Sequence, residues 1–242
     1  MKKSSIPLLT YLLTLLVFTS CRHDDGSPIR NVRFDPNLLN QAQDGSPCAS
    51  YSYAYADEMR NLGAVYTKQV LVAFADGLAY EEQLKAVEEY GFVDRLNGQT
   101  SSNSAMLHTL VLKDGLNCKQ VEQALVELAK DGRLSYVSPY FMKGNELLGL
   151  SNEAIVTVEE NGKAAFESAV RSFGAEVVTA LGENTYVVKV DKNANGNALA
   201  VANYLKEQAG VAHAEPDFIV SLAPEERTPG MEYRRARNGV GR

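Results

Sequence analysis

The sequence predicts an α+β protein in which one small pattern is used twice. Three observations carry this expectation: short runs of period-two apolar alternation, amphipathic stretches of period 3.6 between them, and a return of the same order of events after residue 153. In the first copy, residues 67–142, Val70, Val72 and Phe74 alternate as a half-buried strand does, and Asp76-Gly77 breaks the run. A helix is expected over 80–90, with Leu84 and Val87 on its inner face, glutamates outside, and Gly91 placed as a C-terminal cap. A strand over 92–96, a polar loop over 97–103 and a strand over 106–112 follow. After the turn at Asp114-Gly115, Val121, Leu125 and Leu128 form the stripe of a second helix, and residues 134–141 read as the last strand.

The second copy, residues 153–220, repeats this with a shorter central loop. Strand 155–158, helix 164–173, Gly174, strand 175–180, the turn Leu181-Gly182-Glu183-Asn184 and strand 185–190 come in order. A helix then carries Leu199, Ala202 and Leu205, and Gly210 ends it before a strand over 211–220. A βαββαβ order places two helices on one face of a four-stranded antiparallel sheet. That arrangement is ferredoxin-like, here expected as two tandem domains joined by a linker over 143–152. The other face of each sheet then requires water or a partner.

A formal charge of −6 and the lack of a long basic run argue against nucleic acid as partner. Catalysis by a Ser-His-Asp group needs a base within reach of both other members, and the histidines are only His23, His108 and His213. His213 and Glu215 share a strand face, which reads as an exposed pair of modest value. No close Cys/His spacing points to a metal, and the glycines punctuate turns rather than form a phosphate loop. The expectation is a protein that is not an enzyme and takes no cofactor.

Lys2 and Lys3 precede an apolar run over 6–18, the pattern of an export signal over residues 1–20. Phe18-Thr19-Ser20-Cys21 resembles a bacterial lipobox, which implies acylation at Cys21 and attachment to a membrane by a lipid anchor. Arg22-His23-Asp24-Asp25 resembles the surface-export signal of Bacteroidetes lipoproteins, so the expected location is the cell envelope, as an outer-membrane lipoprotein. Residues 21–66 read as a tether, within which Tyr51-Ser52-Tyr53-Ala54-Tyr55 alternates as a short strand or as a solvated segment. Cys48 and Cys118 stand in a compartment that permits a disulfide, and spacing alone leaves their pairing open.

The ends of the copies, Val137-Ser138-Pro139-Tyr140-Phe141 and His213-Ala214-Glu215-Pro216-Asp217-Phe218, resemble the closing strand of subtilisin-type (subtilase) protease propeptides, fervidolysin-type N-terminal prodomains included. The opening run from Val70 to Gly77 resembles their first strand. In that family the prodomain sets its open sheet face on the protease and lays its tail in the substrate cleft. The resemblance therefore implies a subtilisin-type serine protease as partner, bound in trans as inhibitor or folding chaperone, since the catalytic segments of the protease are missing here. It implies partner contacts at Glu215, Pro216, Asp217 and Phe218, with Leu222 as the nearest large apolar residue of the tail 221–242. The competing expectation is an envelope lipoprotein whose tandem domains bind another surface protein, or a relic of a protease that lost its catalytic domain.

Overall fold

A computed structural model describes residues 47–56 and 58–223. The expectations for the leader 1–20, for Cys21 and for the tail beyond 223 lie outside the described residues.

Residues expected as tether form a hairpin, β1 (Tyr51–Tyr55) and β2 (Glu58–Gly63). The first half follows as β3 (Gln69–Phe74), α1 (Tyr80–Glu89), β4 (Val93–Ser101), β5 (Met106–Leu112), α2 (Cys118–Lys130) and β6 (Leu134–Lys143). The second half is β7 (Glu146–Val158), α3 (Lys163–Phe173), β8 (Glu176–Ala180), β9 (Thr185–Lys189), α4 (Ala198–Lys206) and β10 (Val211–Leu222). Strands lie in the order β4-β5-β3-β6 in the first half and β8-β9-β7-β10 in the second, every pairing antiparallel. Relative to chain order, the two halves are the same.

The halves are not separate bodies joined by a flexible linker. Residues 143–152, expected as that linker, hold a tight turn and the first half of β7, with Tyr140 to Lys143 paired to Gly149 to Glu146. Gly144 makes the turn at φ +62, a conformation that L side chains rarely adopt. The strand resisted recognition because its apolar residues do not alternate: one edge of β7 pairs first with β6 and then with β9, while β10 runs along the other. One eight-stranded sheet results, and all of these elements belong to one compact unit.

Local signals place the helices. Asn117 caps α2 reciprocally with Gln120: Oδ1 of Asn117 accepts from the Gln120 backbone at 2.9 Å, and Oε1 of Gln120 accepts from the Asn117 backbone at 2.8 Å. Asn197 caps α4 through the Ala200 backbone N–H. Gly174 closes α3 at φ +77, as expected, whereas the residue closing α1 is Tyr90, in extended backbone, so Gly91 is not a left-handed cap. The inner face of α1 is Ala86 and Val87, with Leu84 exposed. The tyrosine beyond them is half-buried, and its hydroxyl donates to Asp131 at 2.5 Å. In α2 the buried stripe is Val121, Ala124 and Leu128, and Leu125 lies at its rim.

Where the halves meet, polar side chains are buried. Ser138 and Tyr136 of β6 donate to the carbonyls of Leu150 and Ser151, each at 2.5 Å. The expected loop 97–103 is mostly β4, and its tip reaches the second half. Asn103 and Ser104 donate to the two carboxylate oxygens of Glu153 at 2.7 and 2.6 Å, and Ser102 donates to Asn152 at 2.8 Å. Glu153 is fully buried. Burial raises its pKa, but the donors Ser104, Asn103 and Ser102 outweigh burial and hold it below the ordinary carboxylate value. A depressed folded pKa contributes stability above the unfolded value of about 4.3, and that contribution is lost as pH falls through the folded pKa. Glu153→Gln is therefore expected to cost about 1–3 kcal/mol at pH 7 and to flatten the fall of Tm below pH 4, read from thermal melts across pH 3–7.

Candidate functional site: strand β10 and the hairpin against it

Among the described residues β10 pairs with β7 alone, so its other side is a sheet edge. Pro216 suits such a strand because it has no N–H to offer a further neighbour, and a bulge lies between it and Phe218. Glu215-Pro216-Asp217, where the resemblance implies a partner contact, lie inside the strand, which the continuing length of β7 carries on to Leu222.

The two sides of the second half's sheet differ. Ala154, Val156, Val158, Tyr186, Val188 and Ala214 are buried on one. On the other, Ile155, Thr157, Thr185, His213 and Glu215 are half-exposed and joined by register, Thr157 lying between Thr185 and His213, while Val187 beside Ile155 is fully buried. The expectation of an uncovered face in each half therefore fails for the first half at its central strand. Val70, Leu71, Val72 and Ala73 of β3 are at most 2% exposed, so neither side of that strand meets water.

Of the residues expected to touch a partner, Pro216 is buried, Glu215, Asp217 and Phe218 are half-buried, and Leu222 is 79% exposed. Val220, two residues earlier and so on the same side of the strand, is 60% exposed. The strand thus ends in two bare apolar side chains, which cost solvation unless something covers them.

Part of the motif is already covered by the protein. Tyr53 sets its ring 5.8 Å from that of Phe218, and Tyr55 meets His213 edge-on at 5.4 Å. The Arg60 guanidinium lies 3.4 Å above the Tyr55 ring, and its charged form is favoured first by the Tyr53 hydroxyl and further by Tyr55 and Glu215. His213 Nε2 is 3.6 Å from Glu215 Oε2, the pair expected from the period of two. On α4, Asn203 accepts from the Ala54 backbone at 3.1 Å and donates to the Ser52 carbonyl at 3.0 Å, tying β1 to the second half. At its start the hairpin is fastened to the first half: Cys48 and Cys118 form a disulfide, and the Ala49 N–H donates to Glu122 at 2.9 Å. The sequence offered one sign of this hairpin, the Tyr51-Ser52-Tyr53-Ala54-Tyr55 alternation. Its docking onto β10 had no local signal.

Neither a scan of protein-family models nor a search of curated proteins returns a match for this chain.

A cleft of about 470 Å³ opens elsewhere, lined by Phe74, Asp76, Gln83, His108, Asn152 and Asp191 among others. His108 is buried there against Phe74, and burial lowers its pKa, so it is neutral at pH 7. Much of the polar lining is satisfied from within: Ser104 by Glu153, Asn152 by Ser102 and Ser104, Lys189 by Glu176. Oε1 of Gln83 is buried without a partner, a single orphan that specifies no ligand class. Among the described residues no three His, Cys, Asp or Glu side chains group as metal ligands.

Proposed function

We propose that this chain is a lipid-anchored envelope protein of two tandem ferredoxin-like domains of the subtilase-propeptide type, which acts by binding rather than by catalysis. Its partner is a subtilisin-type serine protease, engaged in trans as inhibitor or folding chaperone. The observation that carries the proposal is the end of β10, where Val220 and Leu222 stand exposed just before the tail. An extended segment leaving such a strand can add to the edge of a protease cleft by main-chain pairing, with one apolar side chain in the specificity pocket. The shared strand order of the halves supports the domain type, and the half-exposed Ile155, Thr157, Thr185, His213 and Glu215 support the second domain as the docking one. The Cys48–Cys118 disulfide suits an exported protein, as the lipobox-like Phe18-Thr19-Ser20-Cys21 does.

Leu222→Asp tests the pocket role. The residue is exposed, so the melting temperature is expected to stay within about 1 °C, because surface changes cost within about 0.5 kcal/mol. Inhibition of a subtilisin-type enzyme that the full chain inhibits is expected to weaken about tenfold or more, since the pocket contact is replaced by a desolvated charge. Equal inhibition by variant and parent would remove Leu222 from the contact.

A further inference from the structure

We propose that residues 48–56 and 58–63 are an autoinhibitory strap, latched by the Cys48–Cys118 disulfide, which covers the outer edge of β10 and must lift before a partner can reach Glu215 and Phe218. The gating role rests on the binding function proposed above; the covering itself does not. Three features make the hairpin a strap rather than an ordinary part of the core. It docks through side chains rather than through a strand ladder, since β1 and β2 form a two-stranded sheet of their own. Beyond its contacts with Phe141 and Asn203, it covers the motif in question: Tyr53 on Phe218, Tyr55 on His213, and Arg60 close to Glu215. It is also thinly built, for among the residues of β1 and β2 only Tyr53 is buried.

An isolated two-stranded hairpin is marginal in water, so this one depends on its docking and on its latch. The latch is chemically reversible. A dithiol reductant gives up two electrons and two protons and closes to its own disulfide, while the Cys48–Cys118 bond breaks and both sulfurs become thiols. Freed at that point, the strap keeps the Asn203 bonds, the Glu122 bond, the contacts of Tyr53 and Tyr55 with Phe218 and His213, and the packing of Tyr51 on Phe141. The surface that it releases combines a sheet edge, the Phe218 ring and the Glu215 carboxylate.

The test is amide hydrogen exchange over residues 213–218 in the full chain, measured for the parent, for Cys48→Ser/Cys118→Ser, and for Tyr53→Ala/Tyr55→Ala. The third protein keeps the latch and loses the ring contacts, so it serves if the serine variant fails to fold. Exchange over 213–218 is expected to speed up about tenfold or more in Tyr53→Ala/Tyr55→Ala with α1 to α3 unchanged, as a local opening does, and in the serine variant to speed up by more than the general quickening that its lost stability brings to α1 to α3. Unchanged exchange over 213–218 in a folded variant overturns the strap. Inhibition of subtilisin is measured on the same proteins, and is expected to be stronger in the variants. If the parent inhibits and the opened variants inhibit no better, the gating role is overturned. If exchange quickens but no form inhibits, the strap stands and the protease partner falls.

Discussion

Replacing Cys48 and Cys118 by serine is expected to lower the stability of the fold by about 4 kcal/mol, the chain-entropy value for a loop of this length. The bond joins residues 70 apart in sequence, across the hairpin and most of the first half. Without it the unfolded chain gains the freedom of that loop, while the folded chain loses only the fastening of the hairpin to α2. Urea denaturation of the oxidised protein and the serine variant measures the difference directly. A change under about 1 kcal/mol would mean that the reduced chain keeps the hairpin in place unaided, or that the unfolded state is already held compact. Because the hairpin also bonds to Asn203 of α4, loss of the latch should be felt in the second half as well as the first.

A second large effect is expected at Leu205. The residue is fully buried on α4, whose contacts run to β7 and β10, so it stands behind the strand that carries the candidate site. Leu205→Asp buries a carboxylate with no cation to meet it, and the expected cost is about 4 kcal/mol or unfolding outright. Leu125→Asp makes a useful contrast. That residue is only partly buried, at the rim of the α2 stripe, and its carboxylate can turn to water, so a loss of about 1–2 kcal/mol is expected. Equal tolerance of both changes in thermal melts would show that α4 does not bury the face assigned to it.

The element order was legible because it depends on local pattern. Val70, Val72 and Phe74 alternate, and Gly174 ends α3. What stayed hidden was set by neighbours rather than by period. Edge strand β4 is largely exposed on both sides, so its polar run, with Gly98 at φ +74, reads as a loop although it is paired to β5. Strand β7 pairs along both edges and is buried nearly throughout, so Leu147 to Glu153 carry no alternation to mark them. Glu153 stands in sequence only as the start of the second copy, and the tip of the β4–β5 hairpin, some fifty residues earlier, makes it a buried acceptor. The candidate site divides in the same way. The His213–Glu215 pair follows from the period of two, and the exposure of Leu222 accords with a residue close to the strand's end. The cover laid over Phe218 and His213 by Tyr53 and Tyr55 depends on a docking that spans about 160 residues of chain, for which a single sequence holds no signal.

The central claim is that β10 and the residues after it bind a subtilisin-type protease, and the most direct measurement is a titration of such an enzyme, from the same cell, with the full chain and with a chain ending at Ala223. Both proteins keep every described strand, so they are expected to melt alike. The full chain should inhibit competitively with substrate, and the shorter one about tenfold or more weakly, because the sheet face remains while the segment for the cleft is gone. Absence of inhibition by either protein, against every subtilisin-type enzyme of that cell and with the strap closed or opened, would contradict the account.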